Sequence, residues 1–304
     1  MARDKRHGRR FTAGGFEGKG KRLRYITVLP SLVTLLNGVC GFASIVLATN
    51  HDFVLASYFI LVAMVADILD GHLARVSNSS SSFGGQLDSL CDMISFGVAP
   101  AFLMFKIFEY KVELVNSELL ERFVWLAAAA YMCCTAIRLA RFNVENVKEG
   151  PSHLTFTGLP SPAAAGVIIS LVIFHQQRLI KVFDAGSSDF RMAENILIYS
   201  LPIISVLTAA LMVSRVRYPH LGNQYLKGKK PIGHLIWLLV VLGVVWWNLQ
   251  FALVLMFCGF AAAGPLKWLY LKISRRSAEG GLGMEHSPAI QTDSGGSPSQ
   301  GGSA

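Results

Sequence analysis

The chain has 304 residues, 52% of them apolar and 15% charged, with a mean hydropathy of +0.45 and a net charge of +9. An average soluble domain carries about 25% charged residues, and a single core could not hide this much apolar surface. The composition excludes a soluble globular protein. It also excludes a nucleic-acid partner, because the basic residues lie between apolar runs rather than in one patch. The five cysteines, Cys40, Cys91, Cys133, Cys134 and Cys258, sit inside apolar runs, match no zinc spacing and read as packing thiols.

Residues 1–25 are basic and Gly-rich, with nine Lys or Arg against Asp4 and Glu17, and read as a disordered cytoplasmic arm. The apolar run behind them is too long for the core of a cleavable signal peptide. Eight membrane spans are predicted, at 26–49, 51–75, 84–108, 121–142, 160–177, 195–214, 232–249 and 251–271. His51 and Asp52 mark a tight outside turn between the first two, and the last pair breaks near 248–250. Pro160 and Pro162 suit the start of a helix. Residues 273–304 are rich in Gly, Ser and Pro and read as a disordered cytoplasmic tail. With both termini inside, the inside segments carry 22 of the 28 Lys and Arg residues, the asymmetry that the positive-inside rule requires. The expectation is an all-α, polytopic helix bundle in the inner membrane, with the lipid bilayer as its solvent.

Asp67, Asp70, Asp88 and Asp92 break the apolar pattern of the second and third spans. One carboxylate near the bilayer centre costs about 3 kcal/mol even on the lenient insertion scale, so four need compensation. Asp67 and Asp70 are spaced i, i+3, and Asp88 and Asp92 are spaced i, i+4, so each pair shares a helix face. The loop at 76–83 is short and Ser-rich, so the two spans form a hairpin and the acidic faces can meet near the cytoplasmic surface. Two divalent cations would balance the four charges, and all-oxygen ligation favours magnesium or manganese over zinc. The same acids would equally serve an ion or proton path in a cation or proton-coupled transporter. Spacing alone leaves both readings open.

The stretch reads Asp67-x2-Asp70-Gly71-x2-Ala74-Arg75-x8-Gly84-x3-Asp88-x3-Asp92, which resembles the signature of the CDP-alcohol phosphotransferase family at every specified position. The resemblance implies a family membrane core over 26–215, with 216–272 as a basic loop and an extra hairpin. It implies that Asp67, Asp70 and Asp88 bind metal, while Asp92 deprotonates the acceptor hydroxyl and touches a second ion. Gly71, Ala74, Arg75 and Gly84 would face the CDP moiety. The glycines and Ala74 remove bulk where a nucleotide approaches, and Arg75 can pair with its phosphates. A homodimer is also implied.

Three further stretches point to one branch: Pro30-Ser31-x2-Thr34-x2-Asn37, Arg138-Leu139-Ala140-Arg141-Phe142-Asn143, and Gly158-Leu159-Pro160-Ser161-Pro162 followed by three alanines. They resemble the membrane-embedded phosphatidylserine synthases of bacteria and archaea. That resemblance implies transfer of a phosphatidyl group from CDP-diacylglycerol to L-serine, with CMP released, at a site open to the cytoplasm. Arg138, Arg141 and Asn143 would hold the acceptor or a phosphate, although arginines at these positions also suit topology anchoring. Glycerol 3-phosphate, an inositol phosphate or choline are the alternative acceptors.

Overall fold

The computed structural model describes residues 17–76, 82–112, 118–149, 158–179, 188–214, 216 and 248–282. Every regular element among the described residues is helical. In chain order these are α1 (Glu17–Thr49), α2 (Phe53–Val76), α3 (Ser82–Asp92), a π-helical stretch Met93–Val98, and α4 (Ala99–Val112). There follow α5 (Glu118–Glu149), α6 (Ser161–Phe174) with a π-helical extension His175–Leu179, α7 (Ser188–Val213) and α8 (Leu249–Leu282). Two compact units divide the chain, Met1–Gly264 and Pro265–Ala304, and all the acidic residues of the motif lie in the first.

Among the described residues, six segments are long and apolar enough to cross a membrane: Ser31–Thr49, Phe53–Leu73, Phe83–Val112, Glu118–Val144, Asp189–Val213 and Leu249–Lys267. The expected span at 160–177 takes the form of α6 and its π-helical extension. The α-helical part is only 14 residues long. The expected span at 232–249 lies almost wholly outside the described residues, as does most of the basic loop before it.

Two boundaries differ from the sequence expectation. Helix α1 begins at Glu17, so residues 17–25 of the arm read as disordered are helical. Helix α8 runs to Leu282, ten residues into the tail read the same way. In both places a membrane helix continues past its apolar stretch, because Lys, Arg and Ala favour helix once a nucleus is in place.

Packing follows the logic of a lipid solvent. On α1 the buried residues are small or polar: Thr34, Asn37, Cys40, Ser44 and Ala48. Its large apolar side chains, Leu32, Leu35, Leu36, Val39 and Phe42, point outward. Lipid tails are as apolar as leucine, so bulky side chains gain little by facing inward, while small ones let helices approach closely. Helix α6 is the exception, buried on nearly every side from Ala164 to Ile173. It packs against α2 and α7 and forms the centre of the bundle. A helix that is apolar all round has this position open to it.

Two joints set the registers that matter for the site. The α1–α2 turn closes with Asp52 N–H on the Leu47 carbonyl at 3.0 Å, and His51 adopts a left-handed conformation at φ 64°. At the start of α6, Gly158 has φ +91°, and its N–H donates to the Val216 carbonyl at 2.8 Å. Leu159 N–H donates to the Leu211 carbonyl at 3.0 Å. Any Cβ on Gly158 would collide with the Met212 carbonyl, so only glycine fits this junction.

Candidate active site

The C-terminal half of α2 brings Asp67 and Asp70 to one end of the bundle, and α3 brings Asp88 and Asp92 to the same end. Carboxylate oxygens of Asp67, Asp88 and Asp92 all lie within 4.8 Å of one another. Asp92 is 8% exposed and Asp70 is 6% exposed. Asp70 is turned toward α1, where it accepts a hydrogen bond from Thr34 Oγ1. Asp92 Oδ1 accepts from Asn37 Nδ2 at 2.9 Å.

Immediately after Asp92 the helix widens into the π-helical stretch. Its cause is legible. Pro100 has no N–H to give the Phe96 carbonyl four residues earlier, and the buried Tyr131 hydroxyl of α5 donates to that carbonyl instead, at 3.1 Å. Within the same stretch Ser95 Oγ donates to the Asn37 backbone carbonyl at 2.8 Å.

Three ionised carboxylates this close repel by roughly 3 kcal/mol per pair at an effective dielectric of 20. Among the described residues, one positive group answers part of that charge. The Arg138 guanidinium lies near enough for its charge to act on both Asp67 and Asp92. It is held there by a hydrogen bond from Nη1 to Ser161 Oγ at the start of α6. Among the described residues net negative charge remains, and the candidate donors are all carboxylate oxygens. That set fits a hard divalent cation.

The other expected site residues separate into groups. Gly71, beside Asp70, is exposed, and a Cβ on it would meet nothing within 4 Å. Gly84 lies half-buried in the first turn of α3. Ala74 and Arg75 occupy the last turn of α2, with side chains outside the described residues. Arg141, one turn beyond Arg138, donates from Nη1 to the Val213 carbonyl at 3.3 Å, at the C-terminal end of α7. Asn143 donates to Ser89 Oγ at 2.9 Å, tying α5 to α3 between Asp88 and Asp92. The structure therefore brings Arg138 to the carboxylates and gives Arg141 and Asn143 partners within the protein. The supporting roles of Ser161, Ser89 and Tyr131 were not visible in the sequence.

Fold and site together define a polytopic membrane protein with a carboxylate centre suited to a divalent cation. Residues 27–214 match the family described as CDP-alcohol phosphatidyltransferase, and the chain belongs to that family. The match covers more than half of the chain and contains every residue of the acidic motif. A CDP-diacylglycerol–serine O-phosphatidyltransferase of Helicobacter pylori (strain ATCC 700392 / 26695) is 30% identical over 246 residues, covering 81% of this chain and 93% of the relative. The protein of the same name from Methanocaldococcus jannaschii is 32% identical over 202 residues, 66% of this chain and 79% of the relative. That from Bacillus subtilis (strain 168) is 29% identical over 192 residues, 63% of this chain and 90% of the relative.

Proposed function

We propose that the chain transfers the phosphatidyl group of CDP-diacylglycerol to the hydroxyl of L-serine, giving phosphatidylserine and CMP. The name shared by its relatives supports this reading. The observation that carries the choice of acceptor is the different placement of two arginines. Arg138 lies near enough to Asp67 and Asp92 for its charge to act on both, whereas Arg141 donates to the Val213 backbone carbonyl at the end of α7. Among the described residues one guanidinium acts on the base, which suits the single carboxylate of serine. A phosphorylated acceptor would call for a larger basic cluster.

Magnesium or manganese, two ions by charge count, would be held by Asp67, Asp70, Asp88 and Asp92 and would supply Lewis acidity at the pyrophosphate. Asp92 takes the proton of the serine hydroxyl. The serine oxygen forms a bond to the phosphorus bearing diacylglycerol, the bond from that phosphorus to CMP breaks, and CMP leaves with the electron pair. Arg138, steadied by Ser161, holds the serine carboxylate in a charge-assisted pair. Gly71, Ala74 and Gly84 leave room for the nucleotide, and Arg75 meets its phosphates. The lipid chains lie among the helices, with the site and both termini on the cytoplasmic side of the inner membrane. The functional unit is a homodimer.

The test is CMP release by the purified full chain with CDP-diacylglycerol and a panel of acceptors. Serine is the expected substrate. Release with glycerol 3-phosphate, an inositol phosphate or choline, and none with serine, would move the protein to another branch of the family.

A further inference from the structure

Two α1 side chains touch the carboxylates and take no part in the reaction as proposed above. Thr34 and Asn37 are 3% and 0% exposed. Spaced i, i+3, they share one face of α1, which Gly38 and Gly41 extend by a further turn. Thr34 Oγ1 donates to Asp70 of α2, and Asn37 Nδ2 donates to Asp92 of α3 at 2.9 Å. One helix thus holds one carboxylate from each of the two helices that carry the motif.

The direction of these bonds separates them from ordinary packing. A hydroxyl in an apolar helix usually bonds the carbonyl one turn back. Ser57, Thr135 and Thr208 do this here, on Phe53, Tyr131 and Ile204. Thr34 Oγ1 reaches across to a carboxylate on another helix, that of Asp70. Asn37 is anchored at its own backbone, where its carbonyl accepts from Ser95 Oγ at 2.8 Å. The glycines explain how α1 comes so close. A Cβ on Gly38 would stand 2.9 Å from Cys91 Sγ, and one on Gly41 would stand 2.7 Å from Ser95 Cα. Terminal carboxylate torsions are broad and roughly two-fold, so an undirected Asp samples many planes. A donor on one oxygen selects the plane and leaves the other oxygen for a ligand or a proton.

We infer that Thr34 and Asn37 are positioning residues, and that α1 is a template setting the plane and separation of Asp70 and Asp92 before cation and substrate arrive. Partners of this kind around metal ligands are worth roughly 10–100-fold in metal affinity or activity. The inference rests on the proposal that these carboxylates bind a divalent cation.

The experiment uses the full chain in lipid nanodiscs, with Mn2+ binding followed by electron paramagnetic resonance, thermal unfolding, and CMP release. Wild type is titrated with Mn2+ first. Absence of binding there overturns the metal reading and this inference with it. Given binding, Thr34→Val keeps the shape and removes the donor, and it should weaken Mn2+ binding about tenfold or more. Thr34→Ser restores the hydroxyl and should return affinity to within a few-fold of wild type. Asn37→Ala should lower kcat about tenfold or more while KM for CDP-diacylglycerol stays within a few-fold. Should Asn37→Ala fail to fold, the Thr34 pair decides alone. The inference is overturned, with the metal reading intact, if Thr34→Val keeps wild-type Mn2+ affinity or if Thr34→Ser loses as much as Thr34→Val.

Discussion

Gly41 of α1 faces Ser95 so closely that a Cβ on it would stand 2.7 Å from the Ser95 Cα. The obstacle is backbone, which cannot swing aside as a flexible side chain would. Gly41→Ala therefore has to push α1 away from the π-helical stretch at 93–98, next to the Asn37–Asp92 hydrogen bond. Overpacking of this kind costs about 1–3 kcal/mol. The expected outcome is a lower unfolding temperature and a loss of CMP release in the same variant. An unchanged unfolding temperature would mean that the two helices separate without cost.

Gly71 is the opposite case. A Cβ there meets nothing within 4 Å, and the same holds for Gly85. Gly71→Ala and Gly85→Ala should melt like wild type or slightly higher, because alanine favours a helix by about 1 kcal/mol over glycine. Gly71→Leu should raise KM for CDP-diacylglycerol, since the bulk would stand where the nucleotide is proposed to lie. Gly85→Leu is the control for bulk as such. Equal KM values in the two leucine variants would remove Gly71 from the nucleotide path.

Arg138 and Arg141 are expected to divide in steady-state kinetics. Arg138→Ala removes a charge-assisted pair with the acceptor carboxylate, worth about 2–3 kcal/mol, so KM for serine should rise by tens of fold. Arg141→Ala removes a cap on the last carbonyls of α7 and should cost about 1 kcal/mol of stability, with serine KM near wild type. Asp92→Asn should depress kcat and leave serine binding comparatively intact, because it removes the base. Wild-type serine KM and kcat in both arginine variants would return these residues to topology anchoring.

Chelation should abolish CMP release, with magnesium or manganese restoring it. A second readout does not depend on turnover. Asp67, Asp88 and Asp92 repel one another when empty, so added Mn2+ should raise the unfolding temperature in proportion to the logarithm of its concentration. Asp88→Asn should flatten that dependence. Full activity in excess chelator would sink the metal reading.

Orientation can be read by labelling single cysteines in a cysteine-free background. Residues 10 and 290 should react from the same, cytoplasmic side, as the charge asymmetry requires. A cysteine at His51, in the α1–α2 turn, should react only from the opposite side. Opposite sides for residues 10 and 290 would mean an odd number of spans, with 232–271 the first region to revisit.

Composition alone placed the chain in a membrane, and the periods of Asp67/Asp70 and Asp88/Asp92 alone put each pair on one helix face. Both are local consequences of chain chemistry, and so both survive in the structure. The tertiary structure decided how those faces are rotated against one another. It turned Asp70 toward Thr34 while Asp67, Asp88 and Asp92 converged, and it sent Arg138 to the carboxylates but Arg141 to the Val213 carbonyl. Arg138 and Arg141 are one turn apart on the same helix, and no local period distinguishes them. Their difference comes from what α6 and α7 present opposite each one, Ser161 in one case and a helix end in the other. That arrangement depends on close approaches at Gly38, Gly41 and Gly158, where a missing side chain on one segment is matched to backbone or side-chain atoms of a distant one. A glycine in the sequence marks room for such a contact. Only the packed bundle names the partner, because the partner lies tens of residues away along the chain.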